Sequence, residues 1–349
     1  MKEGAKDTFR VIEGCLLGCA VGDSVGLPFE GVHPGRVSRW LKTPLEHRLL
    51  FGKGMVSDDT DHSVFVAQSL LLSPDDSSRF SRFLAARLRR WLICLPAGIG
   101  MATLKSILKL CMGFGVDRSG VFSAGNGPAM RAAIIGVFFR NDDDALREFV
   151  RAATRLTHTD PKAELGALAV ALIASRCCQW EQQPTKPELE DLLLTISKNE
   201  DWREMVGRTM MACTKGEPST AVTEKEMHKG VSGYVYNTLP PAIAAWWIHF
   251  GDYRRTIEAI VRMGGDTDTV AAIAGALAGT SVGRDGIPNS WISGIIDRPH
   301  SPAYLSRLAN ALTEKDPSVS AFRWTLLPRG ILFTIIVLTH GFRRLLPPY

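Results

Sequence analysis

From Val11 onward, apolar residues in this chain recur at the three- and four-residue spacing of a helix, and nowhere do they alternate as a half-buried strand would. The first run, Val11, Ile12, Cys15, Leu16 and Cys19, carries Gly14, Gly18 and Gly22 at four-residue intervals. Glycines so spaced share one face and let a neighbouring backbone come close. Further helical patterns cover 59–72, 78–95, 102–112, 128–139, 142–156, 161–179, 186–197, 202–213, 240–250, 253–263, 269–282 and 302–312. Their ends carry the expected chemistry: Asp142 as a cap, Pro161 in a first turn, Gly264-Gly265 as a stop. With no fixed-period repeat, the expected fold is all-α, one compact domain of about a dozen helices. Its expected bounds are an N-terminal tail over 1–10, the helical domain over 11–315 and a C-terminal extension over 316–349.

Composition narrows the function classes. A chain of 349 residues that is 45% hydrophobic can bury one large core or two. A net charge of +5 with scattered Lys and Arg lacks the basic block of a nucleic-acid arm, so no stable nucleic-acid binding is expected. Arg87, Arg89 and Arg90 read as a solvated helix face. Seven cysteines without a CxxC pair, behind a charged Met1–Arg10 with no apolar signal core, point to a reducing cytoplasm. Cys15 and Cys19 read as core, and Cys177-Cys178 as a vicinal pair within a helix. The apolar run 331–339 is about half the length that spans a bilayer. It is expected to bury against the body of a monomer or at a subunit interface, as helix or strand, and no transmembrane segment is expected.

The chemistry gathers in two glycine-flanked segments far apart in sequence. One reads Gly52-Lys53-Gly54-Met55-Val56-Ser57-Asp58-Asp59-Thr60-Asp61, the other Gly264-Gly265-Asp266-Thr267-Asp268-Thr269, and each runs into a helical pattern. Asp, Ser and Thr are favoured helix caps, which is the plain reading of either segment alone. Capping needs one such residue per helix, however, and adjacent carboxylates repel unless a cation offsets them. Oxygen-only donors suit Mg²⁺ or Mn²⁺, and a pair of ions suits the holding of a hydrolytic water. An EF-hand is excluded, because Ala271 and Leu277 stand where its glycine and glutamate belong. Gly98-Ile99-Gly100 and Ser123-Ala124-Gly125-Asn126-Gly127-Pro128-Ala129-Met130 each precede a helix, where converging N–H groups can cradle an anion or simply turn the chain. Beside a metal site they suggest a pyrophosphate. Glu30 follows Pro28 on a loop and is either solvated or a base beside the metals. His158 is a turn residue or faces a ligand, and Tyr234 and Tyr236 either stack on a base or pack.

Taken in order, GCLLGCAVGDSVGLPFE, SDDTDHSVFVAQSLL, PAGIGMAT, SAGNGPAMRAAIIG, THTDP, GYVYNTLPPAI and GGDTDTVAAIAGALAG resemble the ADP-ribosylglycohydrolase family over about 12–282. The resemblance implies a compact helical fold with a cleft holding two divalent cations, Mg²⁺ or Mn²⁺. Their ligands would be Ser57, Asp58 and Asp59 from one side and Asp266, Asp268 and Thr269 from the other, with Glu30, Asp58 and Asp268 as the catalytic groups. It further implies that Gly98, Ile99, Gly100, Ser123, Gly125, Asn126, Gly127 and Met130 line pyrophosphate and ribose loops, with His158, Tyr234 and Tyr236 near the ligand. The family often has Thr where this chain has Ser57; either hydroxyl can ligate a hard cation. The activity implied is hydrolysis of the glycosidic bond between ADP-ribose and an acceptor, a mono-ADP-ribosylated protein or small molecule. A catalytically silent ADP-ribose-binding protein and a helical metal-dependent phosphohydrolase are the alternatives. Asp23 and Asp61 are available either to face a cationic, arginine-type acceptor or to support the ligating groups from behind.

Overall fold

A computed structural model of the protein describes residues 7–41 and 44–344, so most of the expected N-terminal tail and the last five residues of the extension lie outside the described residues. Eighteen α-helices occur among the described residues. The first nine are α1 Thr8–Gly26, α2 Pro34–Trp40, α3 Asp58–Leu72, α4 Ser77–Ile93, α5 Met101–Cys111, α6 Gly127–Met130, α7 Ala133–Phe138, α8 Asp143–Arg155 and α9 Pro161–Cys177. The rest are α10 Lys186–Leu194, α11 Glu200–Lys215, α12 Glu224–Lys229, α13 Val235–Ile248, α14 Tyr253–Met263, α15 Thr267–Val282, α16 Asn289–Gly294, α17 Pro302–Glu314 and α18 Leu326–Arg343. No sheet forms among the described residues; the extended segments meet only in isolated bridges.

Helices α1 and α15 are the axis of the fold. They run antiparallel and touch backbone to backbone. A Cβ placed on Gly14, Gly18, Gly22 or Gly26 would overlap the carbonyl of Gly279, Gly275, Ala271 or Thr267 respectively. The four-residue glycine spacing therefore does what its pattern promised, and only side-chain-free positions permit this approach. The other helices wrap the pair in one large core, and a second, small apolar cluster of Leu27, Leu49, Met55, Phe333 and Ile336 holds the inward face of α18. Every residue of α1 from Val11 to Gly26 is buried. That register sets the C-terminal end of α1 beside the N-terminal end of α15, where the two halves of the site meet.

Several sequence expectations are corrected. The pattern over 128–139 is two short helices, α6 and α7. The chain turns between them at Arg131, whose guanidinium is drawn inward onto the Ala153 carbonyl at 2.9 Å and the Thr157 hydroxyl at 2.6 Å. Helix α13 begins at Val235 rather than at Pro240, and holds Pro240 and Pro241 inside it. Pro240 cannot donate to the Tyr236 carbonyl; the Arg208 guanidinium donates there instead, at 2.5 Å. Arg87 is buried, unlike exposed Arg89 and Arg90, and donates to Gln68 at 2.9 Å and to the Ser320 carbonyl at 2.6 Å. Burial lowers its pKa to about 10.

The apolar run 331–339 is the middle of α18, which packs Arg329, Phe333, Ile336 and His340 inward and leaves Ile331, Leu332, Ile335, Leu338 and Phe342 exposed. With its flanks the helix is long and apolar enough to cross a membrane by length and composition, as is the fully buried α1 region.

Candidate functional site

The two acidic segments converge. Ser57 caps α3, its hydroxyl accepting from the Asp59 amide. The same hydroxyl donates to Asp59 Oδ2 at 3.1 Å, and the Thr269 hydroxyl reaches that oxygen at 3.3 Å from the first turn of α15. Asp266 stands at the N-cap of α15 but makes no side-chain cap bond. Capping therefore uses Ser57 and leaves Asp58, Asp59, Asp266 and Asp268 without that explanation. Asp266 Oδ2 instead accepts from the Asn126 amide at 2.6 Å, which ties in the third segment.

Backbone pairing brings Glu30 to the same place. Glu30 ends a 3₁₀ turn, Leu27–Phe29, that continues directly from α1. The next amide, Gly31, donates to the Gly265 carbonyl at 2.8 Å, and Gly265 donates back to the Val32 carbonyl at 3.0 Å. Gly31 and Gly265 both hold positive φ, which the glycine backbone permits. The Asp266 amide donates to Val231 at 2.8 Å, closing the floor with the segment before α13.

Above this floor lies a cleft of about 550 Å³. Glu30, Asp58, Asp266, Asp268 and Thr269 face it together with Gly98, Gly100, Ser123, Gly125, Asn126, Gly127, Met130 and His158. Ser57 and Asp59 lie just beneath, buried. Ile99 turns the other way and packs against the core, so only the flanking glycines face the cleft. Tyr234 is half-buried and reaches the wall through its backbone bridge to Gly125. Tyr236 is buried in the core against Trp202, ring centroids 5.5 Å apart, and does not line the cleft. Its place one residue inside α13 points it inward, so of its two sequence readings, stacking on a base or packing, Tyr236 packs. Gly31, Thr103, Val231 and Gly233 also line the cleft without having been singled out. A second cavity of about 540 Å³, walled by Glu217, Arg255, Glu258 and Arg262, lies apart and gathers none of the motif residues.

The electrostatics of the floor are those of crowded acids. Burial, and then the neighbouring charges of Asp23 and other carboxylates, push Asp58 and Asp59 well above the usual range. Asp268 is raised by burial and by Glu30, Asp266, Asp59 and Asp23. Glu30 is exposed to the cleft yet flanked by protein; desolvation and Asp266 raise its pKa, and Arg344 opposes them. Asp59 Oδ1 and Asp268 Oδ1 are buried with no hydrogen-bond donor. Leaving such oxygens unpaired costs about 1–3 kcal/mol each, more when charged. No three carboxylate, imidazole or thiol groups close into a ready-made ligand set among the described residues; the donors are spread over the floor and include hydroxyls. Carboxylates and hydroxyls alone, two of them with orphaned oxygens, fit a hard divalent cation.

Asp23 and Asp61 stand behind the floor and do not face the cleft. Asp23 accepts from the Ser57 amide at 2.8 Å and the Thr60 hydroxyl at 2.5 Å, and burial outweighs these bonds to raise its pKa to about 7. Asp61 accepts from Trp91 at 2.8 Å, His300 at 2.6 Å and Arg329 at 3.3 Å. Burial alone would raise its pKa, but Arg329 and His300 bring it down to about 2. Neither carboxylate is open to a cationic, arginine-type acceptor; of the two roles the sequence left open, both take the supporting one. Burial and then Arg131 lower the pKa of His158 to about 3, so its imidazole is uncharged at neutral pH. Its Nδ1 lies 2.9 Å from the Thr157 hydroxyl, and its ring abuts Gly125 and Gly127.

Comparison with known proteins gives this arrangement a lineage. A model of the family described as ADP-ribosylglycohydrolase matches residues 5–320. The chain is 29% identical over 313 residues to an uncharacterized protein of Archaeoglobus fulgidus, covering 86% of this chain and 95% of that one. It is 24% identical to the ADP-ribosyl-[dinitrogen reductase] glycohydrolase of Rhodospirillum rubrum, over 80% of this chain and 88% of the relative. To human ADP-ribosylhydrolase ARH3 it is 28% identical, over 82% and 90%. A solved structure titled ADP-ribosylglycohydrolase-related protein complex superposes with a TM-score of 0.68 at 25% identity, covering 88% of this chain and 98% of that one. Fold, motif order and extent of match agree, and the chain belongs to the ADP-ribosylglycohydrolase family.

Proposed function

We propose that this protein hydrolyses the glycosidic bond joining C1″ of ADP-ribose to an acceptor, a mono-ADP-ribosylated protein or small molecule, and releases ADP-ribose. Family membership supports a glycohydrolase of ADP-ribosyl linkages in general. One observation carries the finer reading. The hydroxyls of Ser57 and Thr269, from opposite parts of the chain, meet on a single Asp59 oxygen, and beside them two buried carboxylate oxygens lack any donor. Ser57, Asp58, Asp59, Asp266, Asp268 and Thr269 would hold two divalent cations, Mg²⁺ or Mn²⁺, which when bound supply Lewis acidity and a template for the ribose hydroxyls. Gly98, Gly100 and Ser123–Gly127 receive the pyrophosphate and ribose on backbone N–H groups at helix starts. His158, uncharged, closes that side. Glu30 takes a proton from the attacking water as its oxygen bonds to C1″. The bond from C1″ to the acceptor breaks, and the proton passes to the departing acceptor atom.

The test is a panel of mono-ADP-ribosylated acceptors, with arginine, serine and small-molecule linkages, assayed with Mg²⁺ or Mn²⁺ and with chelator. Free ADP-ribose as product supports the reading. AMP with ribose 5-phosphate would make the protein a phosphohydrolase, and ADP-ribose binding without turnover of any linkage would make it a silent member.

A further inference from the structure

Helix α18 lies beyond the stretch matched by the family model, and the reaction just described makes no use of it. Yet both of its ends bear on the catalytic floor. At its C-terminal end, Arg344 donates to the Glu30 carbonyl at 2.8 Å and the Pro28 carbonyl at 2.6 Å. His340 Nε2 lies 3.3 Å from the same Pro28 oxygen. Near its start, Arg329 donates to the Val56 carbonyl, the residue before Ser57, and to Asp297 at 2.8 Å. Asp297 accepts the Val56 amide at 3.3 Å, so residue 56 is held on both its polar backbone groups. Between these ends, Phe333 and Val337 wall a cavity of about 30 Å³ whose opposite side is Glu30, Ser57, Asp58 and Asp268.

The turn that carries Glu30 needs such support. It is a three-residue 3₁₀ turn, too short to satisfy its own terminal carbonyls. A guanidinium forks over two carbonyls at once and fixes their relative orientation, which an ammonium cannot do. Phe333 and Val337 present an apolar wall behind the carboxylates, across that small cavity.

We infer that α18 is a strut of the active site, with Arg344 a positioning residue that fixes the turn bearing Glu30. The strut acts by geometry: Glu30 must stand within reach of the attacking water, and a displacement of about 1 Å can cost on the order of a hundredfold in rate. This inference rests on the hydrolase reading for its kinetic consequence, but not for its structural one.

The experiment uses the full chain with Arg344→Ala, Arg344→Gln and Arg344→Lys. The expected result for Arg344→Ala is a kcat lower by about ten- to a hundredfold, with ADP-ribose affinity and melting temperature as in wild type. Arg344→Lys should recover part of the loss, and Arg344→Gln less. Hydrogen exchange of the amides over 27–31 should quicken in Arg344→Ala. Unchanged exchange with unchanged kcat overturns the inference. So does a fall in kcat accompanied in all three variants by equal losses of affinity and melting temperature, since that marks a general structural role. If Arg344→Ala does not fold, the Gln and Lys variants decide by the same two readouts. Should wild type turn over no linkage, the hydrolase reading fails, and the exchange measurement alone judges the strut.

Discussion

Asp268→Asn should make the metal-free protein more stable while abolishing its activity. Asp268 is buried, one of its oxygens has no donor, and the charges of Glu30, Asp266, Asp59 and Asp23 all oppose its ionisation. At an effective dielectric of about 20, two unit charges about 5.5 Å apart repel by roughly 3 kcal/mol. Partial protonation of the cluster reduces this, so relief of about 1–3 kcal/mol is expected at pH 8, a rise of a few degrees in melting temperature. The wild type should instead gain from metal, by about 2.7 kcal/mol at a hundredfold excess over Kd, and the variant should lose most of that gain. The pH dependence follows from the raised carboxyls. Asp23, at about 7 when folded and 3.8 otherwise, keeps its proton in the folded state after the unfolded chain has released its own. Its contribution to metal-free stability therefore falls as pH rises from about 4 to 7 and is level above that. Metal must displace the protons of Asp58, Asp59 and Asp268, whose pKa values burial and neighbouring carboxylates also raise, so its stabilising effect should grow as pH rises. Calorimetric melting in EDTA and in Mn²⁺ at pH 5.5 and 8 measures every term. The reasoning is refuted if Asp268→Asn melts below wild type in EDTA at pH 8, or gains as much from Mn²⁺ as wild type does.

Three other outcomes are expected. Glu30→Gln should lower kcat by about 10²–10⁴-fold and leave the ADP-ribose Kd, read by titration calorimetry, close to wild type; a normal kcat would remove Glu30 from the chemistry. Gly100→Val should leave the melting temperature unchanged, because a Cβ there meets nothing within 4 Å, and should reduce the thermal shift given by ADP-ribose, because that open space is the cleft; an undiminished shift would place the ligand elsewhere. Arg329→Met should destabilise by about 3–5 kcal/mol in urea unfolding, since it strands buried Asp61 and Asp297 without their cation; a loss under about 1 kcal/mol would show the pair to be replaceable.

What could be read from the sequence divides along a physical line. The clusters at Ser57–Asp59 and Asp266–Thr269 were legible because each is local and each is chemically excessive for a helix cap. The glycine loops before α5 and α6 were legible because a loop that faces a cleft keeps its pattern within a few residues. The glycine spacing on α1 announced a close neighbour, though not that the neighbour was α15. What escaped was whatever depends on a distant partner. Asp61 could not be told from a cleft residue until Arg329, 268 positions away, was seen against it. Arg131 looked like one basic residue among many, and is buried beside His62 and beneath Asp58. Tyr236 lies ahead of the helical pattern that starts at Pro240, and only Arg208's bond to the Tyr236 carbonyl explains how the helix runs through the proline.

The contact of α1 with α15 also sets a schedule for the growing chain. The two helices are separated by about 240 residues of sequence. At a synthesis rate of roughly 5–20 residues per second, α1 waits on the order of ten to fifty seconds before its partner leaves the ribosome. Throughout that interval a helix destined for complete burial has its glycine face open and no native surface to cover it. It is also the first of the described helices to be made. Such a segment invites chaperone binding early in synthesis, and a pause or truncation before α15 emerges leaves a chain in which half of the proposed metal ligands exist but the axis that would align them does not.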